Sequence, residues 1–80
     1  MEDQDVMARI NELAHEEHAL FQKESKQEIS ESERSRLRTL EVMLDQCWDL
    51  LHQRRALRSA GLNPDEAQVR DPGTVENYVD

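Results

Sequence analysis

The run His15-Glu16-Glu17-His18 and the spaced pairs Glu12/His15 and Asp49/His52 carry residue types that bind metals. A carboxylate and an imidazole three residues apart converge from one helix face, the spacing used by carboxylate-bridged di-metal bundles. Direction opposes that chemistry here. On helical wheels both pairs lie roughly opposite the apolar stripe of their own segment, whereas a metal site inside a bundle needs ligands that point inward. Glu17 is different, because it sits almost at the centre of the stripe formed by Val6, Ile10, Leu13 and Phe21. A buried carboxylate is costly unless paired. Its expected partners are Arg36 and Arg38, in an ion pair that specifies register; the alternative is a polar cavity where Glu17 and His18 meet a metal or small ligand. Cys47 holds a position on the second apolar stripe with no base in reach, which makes it a small buried hydrophobe rather than a nucleophile. The sequence has no glycine-rich phosphate loop, no Ser/His/Asp arrangement and no zinc-spaced cysteine pair. The expectation is a protein that is not an enzyme and calls for no cofactor.

These side chains need elements to position them. Both glycines (Gly61, Gly73) and both prolines (Pro64, Pro72) fall after residue 60, so nothing upstream forbids helix. Val6, Ile10, Leu13, Leu20 and Phe21 follow helical spacing and predict a first helix over about residues 4–24, with Asp3 as N-cap. Ser30 and Glu33 form a capping-box pattern that opens a second helix over 31–60, closed by a left-handed Gly61. Between them, the centre of the apolar stripe shifts by about 120°, which one straight helix could not present to one partner. A turn at 25–30 is therefore favoured over a single long helix, and a short turn returns the helices antiparallel. Asn63-Pro64-Asp65-Glu66 predicts a turn or two of helix. Val75, Tyr78 and Val79 have the spacing of a last helical turn, docked on the bundle or a neighbour, with a frayed tail as the alternative. The domain reading is a hairpin over 1–60 and a capping segment or partly ordered tail over 61–80.

Of the 80 residues, 36% are apolar and 35% charged, with a net charge of −8. That average lies near the compositional border of disorder, and so small a domain is hard to stabilise alone. The second helix suggests a remedy. Leu50 and Leu57 lie on one edge of its stripe and Trp48 on the other, spanning about half the circumference, more than one neighbouring helix covers. The fold class expected is all-α: an antiparallel hairpin that dimerises into a four-helix bundle, with an interface drawn from Leu44, Trp48, Leu50, Leu51 and Leu57. Charge agrees, because residues 1–33 carry net −7 and residues 34–60 net +3. Antiparallel pairing sets the acidic start beside Arg54, Arg55 and Arg58, and the Glu16-Glu17 region near Arg36 and Arg38. With its arginines matched by carboxylates and no interleaved aromatics, the chain is not expected to bind nucleic acid directly. No membrane span or signal peptide is read, so the expected location is cytoplasmic, with a second copy and an unidentified protein as partners.

The run Leu44-Asp45-Gln46-Cys47-Trp48-Asp49-Leu50-Leu51-His52-Gln53-Arg54-Arg55-Ala56-Leu57-Arg58 resembles the signature of a family of short actinobacterial proteins known as domain of unknown function 2630. Glu16-Glu17-His18-Ala19-Leu20, Gly61-Leu62-Asn63-Pro64-Asp65 and Val75-Glu76-Asn77-Tyr78 resemble it too, in the same order. His52 departs from it, where an arginine is expected. The resemblance implies a small cytoplasmic bacterial protein and lends no activity. It places Glu17, His18, Asp45, Trp48, Asp49, Arg54, Arg55 and Tyr78 in recurring blocks. Asp45 and Asp49 face away from the hairpin core on the wheel, which favours a second surface.

Overall fold

The computed structural model describes residues 2–77. The break between the helices follows from the backbone at their junction. Helix α1, Asp3–Ser25, ends where Gln27 turns left-handed at φ 60°, with Gln27 N–H donating to Glu24 O and Glu28 N–H to Lys23 O. Ser30 then opens helix α2, Glu31–Ser59: its hydroxyl accepts from Glu33 N–H, and the Glu33 carboxylate accepts from Ser30 N–H. Ile29 packs on the core from within the turn. Gly61, at φ 77°, lets Leu62 N–H reach back to Leu57 O at 2.8 Å and closes α2.

At the start of α1 the N-cap is Glu2, not the expected Asp3; Glu2 N–H donates to the Asp5 carboxylate at 2.9 Å. The reason is that Asp3 has other work across the hairpin, described below. Helices α1 and α2 pack antiparallel. Val6, Ile10, Leu13 and Leu20 of α1 meet Leu37, Leu40, Leu44, Leu50 and Leu51 of α2 in one buried cluster, with Leu40 and Leu51 wholly enclosed. Each side chain of this size contributes ~1.5–3 kcal/mol by leaving water.

The segment after α2 decides how the wide stripe is covered. Asn63 caps a single 3-10 turn, Pro64–Glu66, shorter than the two turns its signals allow. The chain then runs back along α2 to helix α3, Pro72–Asn77, which Asp71 caps by accepting from Thr74 N–H at 3.0 Å. Gln46 donates its side-chain amide to Arg70 O and Gln53 to Gln68 O, so two glutamines of α2 hold the returning backbone. Ala67 packs against the core and Val75 is buried. This strap lies on the edge of α2 that carries Leu50 and Leu57. The chain's own residues 62–77 run over this edge, and within the single chain Leu50 is buried and Leu57 half-buried. Tyr78 and Val79 lie outside the described residues.

Candidate functional site

Two polar anchors hold the three elements together, and what they leave uncovered is the candidate site. The first is Arg54. One turn short of the end of α2, this residue has only 4% of its surface exposed, and a guanidinium there needs partners for its donors. Its Nε donates to Asp3 Oδ1 at 2.6 Å, and its Nη1 to Asp65 Oδ1 at 3.0 Å and to Pro64 O at 3.3 Å. Arg58 adds a second cation to Asp3 at 2.9 Å. Bonds from Arg58 and Arg54 pull the Asp3 carboxyl down to about 2, and Arg54 lowers Asp65 as well.

The second anchor is Asp49. On the wheel it faces away from the hairpin, but the strap folds over it. Arg70 forks onto its two oxygens at 2.9 and 2.7 Å, and Gln53 donates to it at 2.9 Å. Asp49 is thus a joint between α2 and the strap, not one of a solvated metal-binding pair with His52.

Along the flank where α1 and α2 meet, Arg36 forks onto Glu16 at 2.7 and 3.0 Å, lowering that carboxyl, and Lys23 pairs with Glu33. Bonds from Lys23 and from Ser30 bring Glu33 down to about 2. Arg36 therefore serves Glu16, one residue from its expected partner Glu17. Arg38 and Arg55 are exposed and make no ion pair among the described residues. Glu17 lies on the opposite flank, half-buried; burial raises its pKa, and Glu41 and Asp45 of α2 raise it further. His18 is exposed and meets Gln22 at 3.2 Å, so Glu17 and His18 do not converge on a common point. Among the described residues, no three His, Cys, Asp or Glu side chains gather where a metal could sit. Cys47 is half-buried against the core, and burial pushes its thiol up from the usual range.

Leu44, Leu50 and Leu51 are buried inside the single chain, Leu57 is half-buried, and Trp48 stands out with 44% of its surface exposed. Its ring tilts over His52, with centroids 6.4 Å apart. Beside it an open groove of about 670 Å³ runs between α2 and the strap, walled by Asp45, Trp48, His52, Arg70 and Val75. Met7 and Phe21 are also exposed. They lie about four helical turns apart on the side of α1 that carries Glu17, and Glu17 looks toward Asp45, one turn before Trp48. One side of the hairpin therefore carries the large exposed apolar groups Met7, Phe21 and Trp48, with Glu17, Glu41 and Asp45 among them. Asp3 meets Arg54 and Arg58 as the antiparallel charge pattern of the sequence predicts, whereas sequence reasoning missed Asp65, Gln46, Gln53 and Arg70 as anchors. The signal available was only the acidic residue at each end of the hairpin within reach of Arg54.

No helix among the described residues is long and apolar enough to cross a membrane. The profile of the family described as "Protein of unknown function (DUF2630)" matches residues 2–80. Proteins of Mycobacterium bovis and Mycobacterium tuberculosis, each described as an uncharacterised protein, are 51% identical over 78 residues, covering 96% of this chain and 90% of theirs. No solved structure matches the chain.

Proposed function

The chain belongs to the DUF2630 family, and from its own surfaces we propose that it is a non-enzymatic cytoplasmic module for protein–protein contact, whose hairpin associates with a second copy to form a four-helix bundle. The observation that carries this reading is the exposed indole of Trp48 on the face shared with Met7 and Phe21. A soluble domain gains nothing from leaving its one tryptophan half in water, and aromatic side chains are enriched at the centres of protein interfaces. The fork of Arg70 on Asp49 braces the edge of the adjacent groove, so the face is preformed. Catalysis has no support in the arrangement. Asp3, Glu16, Glu33, Asp49 and Asp65 are bound to arginines or a lysine, Asp5 and Asp71 are occupied by backbone amides at helix starts, and the one thiol is driven toward its neutral form.

Sedimentation velocity across the micromolar range tests the reading, with Trp48 emission recorded on the same samples. A dimer that accumulates with concentration, with emission shifting to shorter wavelength as the indole leaves water, is expected. A compact monomer at every concentration, with unchanged emission, would overturn it.

A further inference from the structure

The exposed side of α2 carries a second, unused heptad pattern. Glu41, Asp45, Trp48, His52 and Arg55 follow one another at spacings of four, three, four and three residues, the rhythm of a helix–helix seam. All five are exposed. Among the described residues Glu41, Asp45 and Arg55 have no hydrogen-bond or ion-pair partner, while other charges of the hairpin, Glu16, Glu33, Arg36, Arg54 and Arg58, are paired within the chain. The order of charge along the seam is also directional. Acids stand on the N-terminal side of Trp48 and a base on the C-terminal side, with Glu41 seven residues before the indole and Arg55 seven after it.

We infer that two copies of this chain pair through antiparallel α2 helices along this seam, with Trp48 on the two-fold axis, Glu41 of each copy opposite Arg55 of the other, and Asp45 within one residue of the level of the other copy's His52. The inference rests on the self-association proposed above and supplies its geometry. A two-fold axis through Trp48 exchanges residues equally spaced on either side of it, and Glu41 and Arg55 each lie seven residues away. Parallel pairing would stack Glu41 on Glu41, Asp45 on Asp45 and Arg55 on Arg55, so charge selects the antiparallel form. The groove beside Trp48 receives the indole of the second copy. Glu17 fits the same picture: it stands with Glu41 and Asp45 in an acidic group without a cation, the place to which Arg55 of the second copy is delivered.

At 1.5 Å per residue, the two Glu41–Arg55 contacts lie about 21 Å apart along the seam, beyond the ~8 Å Debye length of physiological salt, so each acts independently. One substitution per chain thus changes two contacts. Converting two exposed attractions into two repulsions weakens association about ten-fold or more.

The test uses Glu41→Arg and Arg55→Glu, at exposed, unpaired positions that leave the fold intact by circular dichroism. Each variant alone is expected to lose affinity for itself by that factor. Mixed in equal amounts, the two are expected to recover a dimer containing one of each, because both contacts are again acid against base; the double variant recovers its own dimer. A wild-type chain that stays monomeric overturns the self-association reading and this geometry with it. A wild-type dimer whose affinity ignores both single substitutions, or a mixture that fails to restore it, overturns the seam alone.

Discussion

Leu50→Ala distinguishes a core closed by the chain's own strap from one closed by a second copy. Leu50 is 6% exposed and stands on the edge of α2 where Gln46 and Gln53 hold the returning backbone. Truncating a buried leucine costs about 2–5 kcal/mol, the transfer free energy of the lost atoms plus that of the cavity left behind. In a domain of this size, whose whole stability is on the order of 4–12 kcal/mol, that is a large share. It corresponds to a fall in melting temperature of at least about 8 °C. The informative experiment is a cycle in urea, in which Leu50→Ala is made in the full chain and in one ending at Gly61. If the strap buries Leu50, its removal exposes the side chain beforehand, and the penalty for Leu50→Ala in the shortened chain falls by at least about 1 kcal/mol. The full-chain penalty should also be independent of protein concentration. An equal penalty in both backgrounds, or one that grows on dilution, would refute the reasoning.

Replacing Gln27, at φ 60°, by glycine removes a Cβ from a left-handed backbone and should stabilise the chain by about 0.5–1 kcal/mol in the same unfolding assay. Acid sensitivity follows from groups pulled in opposite directions. Asp3 and Glu33 titrate near 2 in the folded chain against ordinary values of 3.8 and 4.5, so their stabilisation is complete above those values and is lost as pH falls toward 2; Asp3→Asn should flatten the decline of stability between about pH 4 and 2. Glu17, raised by burial and by Glu41 and Asp45, destabilises the fold while ionised; Glu17→Leu should raise the melting temperature at neutral pH, with a benefit that shrinks as acid protonates the wild-type group.

The elements legible in the sequence were those with local signals. Ser30 with Glu33 opens α2, Gly61 closes it, and the phase shift between the two stripes requires the turn around Gln27. The strap was legible only in pieces. Asn63, Pro64 and Val75 announce turns and a docking residue, but nothing local says over which edge of α2 the chain returns. A helical wheel measures how much apolar surface needs a cover and is silent on whether the cover is the same chain or another. For the same reason Asp49 read as solvated: it lies opposite the α1-facing side of α2, and only the strap gives α2 a second covered side. The shift from Glu17 to Glu16 as the partner of Arg36 has a simpler cause. Consecutive residues stand about 100° apart around a helix, which sets Glu16 on the flank of Arg36 and turns Glu17 toward Glu41 and Asp45 on the other.

The Arg54 anchor also changes what kind of object the hairpin is. At one end the helices are joined covalently through the turn, and at the other Arg54 ties Asp3, 51 residues earlier in the chain, to α2 and to the 3-10 turn. The two helices therefore form a closed ring, whereas an ordinary hairpin has one open end. Helix ends fray because their last amides have no partners and nothing holds them in place. Here the first turn of α1 is tethered, so peeling it away requires breaking the Asp3 contacts and uncovering a buried guanidinium. Amide exchange at the beginning of α1 is then governed by opening of the whole ring, and the first turn of α1 behaves as interior structure.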